Sequence, residues 1–139
     1  MNDDCIFCKI LKHEIPCTPV YEDDDILAFM DIGPIIKGHT LVIPKEHHAM
    51  LAETPPDLLG KLMTVVQRIE AAQTNGLKAE GSNVIQNNGR CSGQLVDHIH
   101  FHVIPRYASD KHKWNWDAKE YADMAEMTKY AEAIKAHCG

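Results

Sequence analysis

The sequence predicts an α+β domain: a five-stranded antiparallel sheet carrying two main helices. Two observations lead there. Short runs rich in β-branched and aromatic residues recur between turn residues, and the first two are joined by a tight acidic turn. Between the third and fourth runs, a longer stretch repeats its apolar residues at helical spacing. In order, residues 5 to about 11 suggest a short turn or helix. Val20, Tyr21 and Glu22 read as a first strand and residues 26–30 as a second, with Asp23-Asp24-Asp25 as the hairpin turn. Residues 40–44 are a third strand, after a loop containing Gly33-Pro34 and Gly38. From 56 to about 73, Leu59, Leu62, Met63, Val66 and Ile69 fall on one helical face, which Asn75-Gly76 should end. Residues 83–86 and 98–105 complete the strands. A last amphipathic helix is expected over about 118–135, its stripe of Met124, Met127, Tyr130, Ala131 and Ile134 reading as core packing, with Trp114 and Trp116 as amphipathic anchors before it. The reading is one domain over 1–139, with 108–139 as a C-terminal tail.

Composition narrows the function classes. A chain of 139 residues can bury a core without disulfide staples. Its net charge of −6 leaves no basic footprint for nucleic acid or an anionic membrane. No apolar run approaches the ~18 residues of a membrane span, and Met1-Asn2-Asp3-Asp4 is acidic where a signal peptide would be basic. Five cysteines, two of them in a C-x-x-C pair, point to a reduced, cytoplasmic protein with a metal site rather than a disulfide framework.

The chemistry concentrates in His98-Ile99-His100-Phe101-His102-Val103-Ile104. In a strand, alternation turns the three histidines one way and Ile99, Phe101 and Val103 into a core. Imidazole can attack, donate and accept protons near neutral pH, so three on a rigid strand suggest a reaction centre. A three-histidine metal site competes with this reading. Side chains four residues apart on a strand lie about 13 Å apart, however, so one ion would take two of the three more easily than all. Cys5 and Cys8 make a second cluster, since a C-x-x-C turn lets two thiolates occupy adjacent corners of a tetrahedron. They read equally as buried thiols, and Cys17, Cys91 and Cys138 read as free ones.

The histidine run and its Pro105-Arg106 ending resemble the signature of the histidine triad (HIT) superfamily of nucleotide hydrolases and transferases. Cys5-Ile6-Phe7-Cys8-Lys9-Ile10, Leu27-Ala28-Phe29-Met30-Asp31-Ile32, the segment from Gly38-His39 through Pro44 to His47, Asn87-Asn88-Gly89 and Ser92-Gly93-Gln94 stand in the order that superfamily uses. The resemblance covers residues 5 to about 107 and is greatest to the Hint-like branch, in its zinc-containing bacterial-type subgroup.

That resemblance implies roles. Cys5, Cys8, His47 and His98 would hold a structural zinc, with His48 as an alternative to His47. His100 would attack the α-phosphorus of a nucleoside phosphoramidate or phosphoester and form a nucleotidyl-histidine. The carbonyl of His98 would hold its tautomer, with His39 behind that relay, and His102 would assist at the phosphoryl oxygens or leaving atom. Asp31 would read the ribose, and Asn87 and Gln94 the phosphate or ribose region; Gly89 and Gly93 by themselves allow close backbone approach to an anion, although Asn87-Asn88-Gly89 would also make an ordinary polar turn. Ile6, Phe7, Ile10, Phe29 and Ile32 would form the base slot, although they read equally as core. Leu95 and Asp97 depart from the pattern: a leucine replaces a common hydroxyl, and a carboxylate replaces a common aromatic residue. The expected activity is that of a purine nucleoside phosphoramidase acting on AMP-like substrates as a homodimer. A dinucleoside polyphosphate hydrolase and a nucleotide-binding interaction module with little catalysis are the alternatives.

Overall fold

A computed structural model describes residues 2–114 and 116–139 of the chain. The strands are β1 (Pro19–Glu22), β2 (Ile26–Met30), β3 (Thr40–Pro44), β4 (Gly81–Gln86) and β5 (Phe101–Arg106); the α-helices are α1 (Ile6–Leu11), α2 (Pro56–Leu77) and α3 (Met124–Lys135). All strand pairs are antiparallel, in the spatial order β1-β2-β3-β5-β4. The α+β class and five-stranded antiparallel sheet expected from the sequence are therefore found.

Strand alternation divides the core in two. On one face, Ile26, Ala28, Val42, Phe101 and Val103 pack with Ile99 against Leu58, Leu62, Val65, Val66 and Ile69 of α2. On the other, Leu27, Phe29, Leu41 and Ile43 meet Phe7, Cys8 and Ile10 of α1. β3, covered on both faces, is buried along its whole length. This second face holds the site. Gly38, at φ 106°, packs on the α2 side of the sheet: an added Cβ would lie 2.6 Å from Leu77 Cδ1 and 3.0 Å from Pro105 Cγ. The close approach seats His39 at the entrance to β3.

Several expectations shift. Asn75-Gly76 does not stop α2, which ends at Leu77, where Lys78 takes the left-handed capping conformation. Its buried face includes Leu58 and Val65, whereas Met63 turns outward at 47% exposure. α3 begins at Met124 rather than near 118, because the Asp123 carboxylate caps it by accepting from Glu126 N–H at 2.8 Å. Its stripe is not core: α3 buries no side chain, and Met124, Tyr130 and Ile134 are exposed. Regular β5 begins at Phe101, so His98 and His100 precede it. The extended alternation nevertheless runs on, held by Ile99 N–H donating to His48 O at 2.7 Å. Among the described residues, no helix is long and apolar enough to cross a membrane.

Candidate active site

The N-terminal end of the histidine row meets the C-x-x-C turn. Cys5 caps α1, its sulfur accepting from Cys8 N–H at 3.4 Å, so both thiols face the same way. His98 is fully buried, and its Nε2–H donates to Pro44 O at 2.8 Å. The proton is thereby fixed on Nε2, and the bare Nδ1 lies 3.4 Å from Cys5 Sγ and 3.6 Å from Cys8 Sγ. His47 Nδ1 closes the group, 3.3 Å from Cys8 Sγ and 3.1 Å from His98 Nδ1. A tetrahedral zinc with bonds of ~2.0–2.1 Å to nitrogen and ~2.3 Å to sulfur needs nitrogen–nitrogen and nitrogen–sulfur edges of roughly 3.3–3.6 Å. The donor set therefore fits such an ion. Burial pushes His98 down to about 4 and also lowers His47, keeping both imidazoles unprotonated as ligands must be. His48 is turned away, pairing with Glu46 at 2.7 Å, so His47 is the residue that joins the group.

Two residues on, the same backbone orients a different histidine. His100 Nδ1 donates to the carbonyl of His98 at 2.7 Å, which leaves its Nε2 lone pair free. Burial lowers its pKa, against the opposing pull of that carbonyl bond. The ring of Phe7 packs edge-on to His100, centroids 5.2 Å apart. His39, expected behind the His100 relay, instead backs His102: its Nε2 lies 2.8 Å from His102 Nδ1. Ile35 N–H donates to His39 Nδ1 at 3.2 Å, so the His39 proton sits on Nε2 and is given to His102. His102 must then carry its own proton on Nε2. Burial, with smaller contributions from His100 and His39, depresses His102 to about 4. Asp31 Oδ2 lies 3.5 Å from His39 Nε2, while Asp31 Oδ1 accepts from Gly33 N–H at 2.8 Å. The three Nδ1 atoms of the row thus face thiols, a carbonyl and the imidazole of His39. They do not converge on one ion.

His100 and His102 open into a cleft of about 290 Å³. Of the residues the sequence nominated, Ile6, Phe7, Ile10, Phe29, Asp31, Ile32 and Gly93 also line it. Phe7, Ile10 and Phe29 form its buried end and belong to the core as well, so both readings of them hold. Asn87 and Gln94 stand outside the lining. Gln94, 1% exposed, is used up as a brace: Oε1 accepts from Gly89 N–H at 2.7 Å and Nε2 donates to Ala49 O at 2.7 Å and Val96 O at 3.0 Å. Its place is under the loop that carries Gly93. Asp97 needs no buried partner; it is exposed and 3.6 Å from Arg90. The sequence reading missed Ile15, Pro16, Cys17, Met30, Leu41 and Val96, which complete the walls. Only Leu41 carried a usable signal, since it shares a strand face with His39.

The sequence matches the family model described as the HIT domain over residues 12–109. It is 47% identical over 102 residues to the adenosine 5′-monophosphoramidase of Schizosaccharomyces pombe, covering 73% of this chain and 74% of that one. An adenylylsulfatase of Arabidopsis thaliana is 40% identical over 110 residues, covering 79% of this chain but only 56% of the larger plant protein. A solved zinc-bound histidine triad family protein from Mycobacterium smegmatis superposes with a TM-score of 0.76 at 37% identity, covering 95% of this chain and 96% of that one. Fold, histidine row and sequence agree, and the chain belongs to the HIT family.

Proposed function

We propose that this protein hydrolyses nucleoside phosphoramidates, with AMP-like purine nucleotides as its substrates, through a covalent nucleotidyl-His100 intermediate. The observation that carries the reading is the His100 tautomer: Nδ1–H is tied to the His98 carbonyl, so Nε2 faces the cleft as an unprotonated nucleophile. Nε2 attacks the α-phosphorus and the P–N bond to the leaving amine breaks. The departing amine collects a proton through His102, and the water that cleaves the intermediate returns one, so the histidines end as they began. His102 Nε2–H also donates to a phosphoryl oxygen as charge develops there, with His39 fixing its orientation. Asp31 accepts from the ribose hydroxyls, and the apolar end at Phe7, Ile10 and Phe29 takes the base. The relative from Schizosaccharomyces pombe, an adenosine 5′-monophosphoramidase, supports this substrate class.

The same reading places zinc among Cys5, Cys8, His47 and His98, where a closed set of four ligands makes it structural. The zinc-bound relative supports that choice of metal. Among the described residues all five cysteines are free, in keeping with a reducing cytoplasm. The reading includes a homodimer, for which the uncovered apolar stripe of α3 offers a surface; light scattering should give twice the 15.6 kDa chain mass. The function is tested with adenosine 5′-phosphoramidate. Wild type should release AMP, and His100→Ala should bind AMP yet release none. AMP release by His100→Ala at the wild-type rate would overturn the reading.

A further inference from the structure

We infer that Leu95 selects the leaving group, favouring amines that carry an alkyl or aryl chain over ammonia; the inference rests on the phosphoramidase reading above. Leu95 lines the same cleft as His100 and His102 yet is 77% exposed. A single exposed leucine is ordinary. This one is held there. Gln94 on its N-terminal side is pinned by three hydrogen bonds, and the Arg90 guanidinium donates to the Leu95 carbonyl at 2.7 Å. The side chain therefore projects from a braced loop and not from a floppy one.

The cleft has two unlike ends. Phe7, Ile10 and Phe29 are 4–8% exposed and close one of them. A nucleoside filling that end leaves its leaving group at the open end, where Leu95 stands. Leu95, Ile6 and Val96 are also shared with a second hollow of about 230 Å³ on the far side. They form an apolar ridge between the two spaces, over which a chain on the leaving nitrogen would lie. Ammonia is too small to touch the ridge. A butyl or benzyl group would shed water against it, and partial burial of a few methylenes at ~0.8 kcal/mol each corresponds to roughly threefold to thirtyfold in kcat/KM.

The test compares adenosine 5′-phosphoramidate with its N-butyl and N-benzyl derivatives, using full-length wild type, Leu95→Ser and Leu95→Met. Wild type should prefer the N-substituted compounds by about threefold to thirtyfold in kcat/KM. Leu95→Ser should bring that ratio close to one, and Leu95→Met should restore it. Equal rates on all three compounds in wild type, or a ratio unmoved by Leu95→Ser, would overturn the leaving-group assignment while leaving the phosphoramidase reading intact. No His100-dependent turnover of any of them would overturn the phosphoramidase reading, and this inference with it.

Discussion

Two successive histidines of the row, His98 and His100, present the same side chain in opposite ways. At His98, Nε2–H is tied to Pro44 O and the bare Nδ1 looks at two thiols and the Nδ1 of His47. At His100, Nδ1–H is tied to the His98 carbonyl and the bare Nε2 looks into a cleft. Both rings are buried, and burial lowers both pKa values. What separates the ligand role proposed for His98 from the nucleophile role proposed for His100 is which nitrogen a backbone carbonyl claims, and whether the other meets fixed donors or open space. Alternation along the chain supplies the change of surroundings over only two residues.

The largest way to break the comparison is His100→Ala. It should lower phosphoramidate hydrolysis on the order of 10³-fold or more, measured as AMP release, while zinc content and melting temperature stay close to wild type. At the other end, Cys8→Ser should strip the metal and destabilise the fold. Elemental analysis and thermal melting should show zinc lost and the transition lowered by several degrees, because a structural ion contributes folding free energy directly. His47→Ala should lose metal in the same assay and His48→Ala should keep it. His102→Ala should cost about 10²–10³ in kcat through lost stabilisation of developing charge. His39→Ala, acting only through His102, should cost about tenfold; equal losses would mean that His39 touches substrate itself.

The smallest effect is in the pH profile. His102 sits at about 4 and His100 is lowered, both chiefly by burial, so the neutral forms persist below the ordinary imidazole range. Activity, followed as kcat/KM, should stay flat from neutral pH down past ~6.5 and fall only on the acid side of that value. Stability follows the same direction. The unfolded chain takes up protons first, so the contribution from His102 is present above pH ~6.5 and is lost as pH falls through that value toward the folded pKa.

Much of this was legible in the sequence because alternation and residue type decide it. Ile99, Phe101 and Val103 had to face the helix if the histidines faced away, and they do. The C-x-x-C pair was legible by itself, whereas His47 and His98 were expected beside it only through the family resemblance; the four lie together. Tautomers were less legible, since they depend on carbonyls and amides contributed by neighbouring segments. Ile35 N–H directs His39 to His102, and no spacing rule shows that bond. The resemblance placed Gln94 at the phosphate or ribose region, and no spacing rule shows that the loop's own polar groups take up its side chain. The apolar stripe of α3 matched a core helix in period and is exposed all the same, because periodicity tells which residues share a face and not what covers it.

The most direct test of the divided histidine row is to trap the intermediate in zinc-loaded enzyme. Wild type would be mixed with adenosine 5′-phosphoramidate, quenched within milliseconds under alkaline denaturing conditions that preserve phosphohistidine-type bonds, and mapped by peptide mass spectrometry. The account predicts an AMP adduct on His100 alone, with one zinc per chain before and after turnover. An adduct on His98 or His102, or turnover that requires zinc to leave its four ligands, would contradict it.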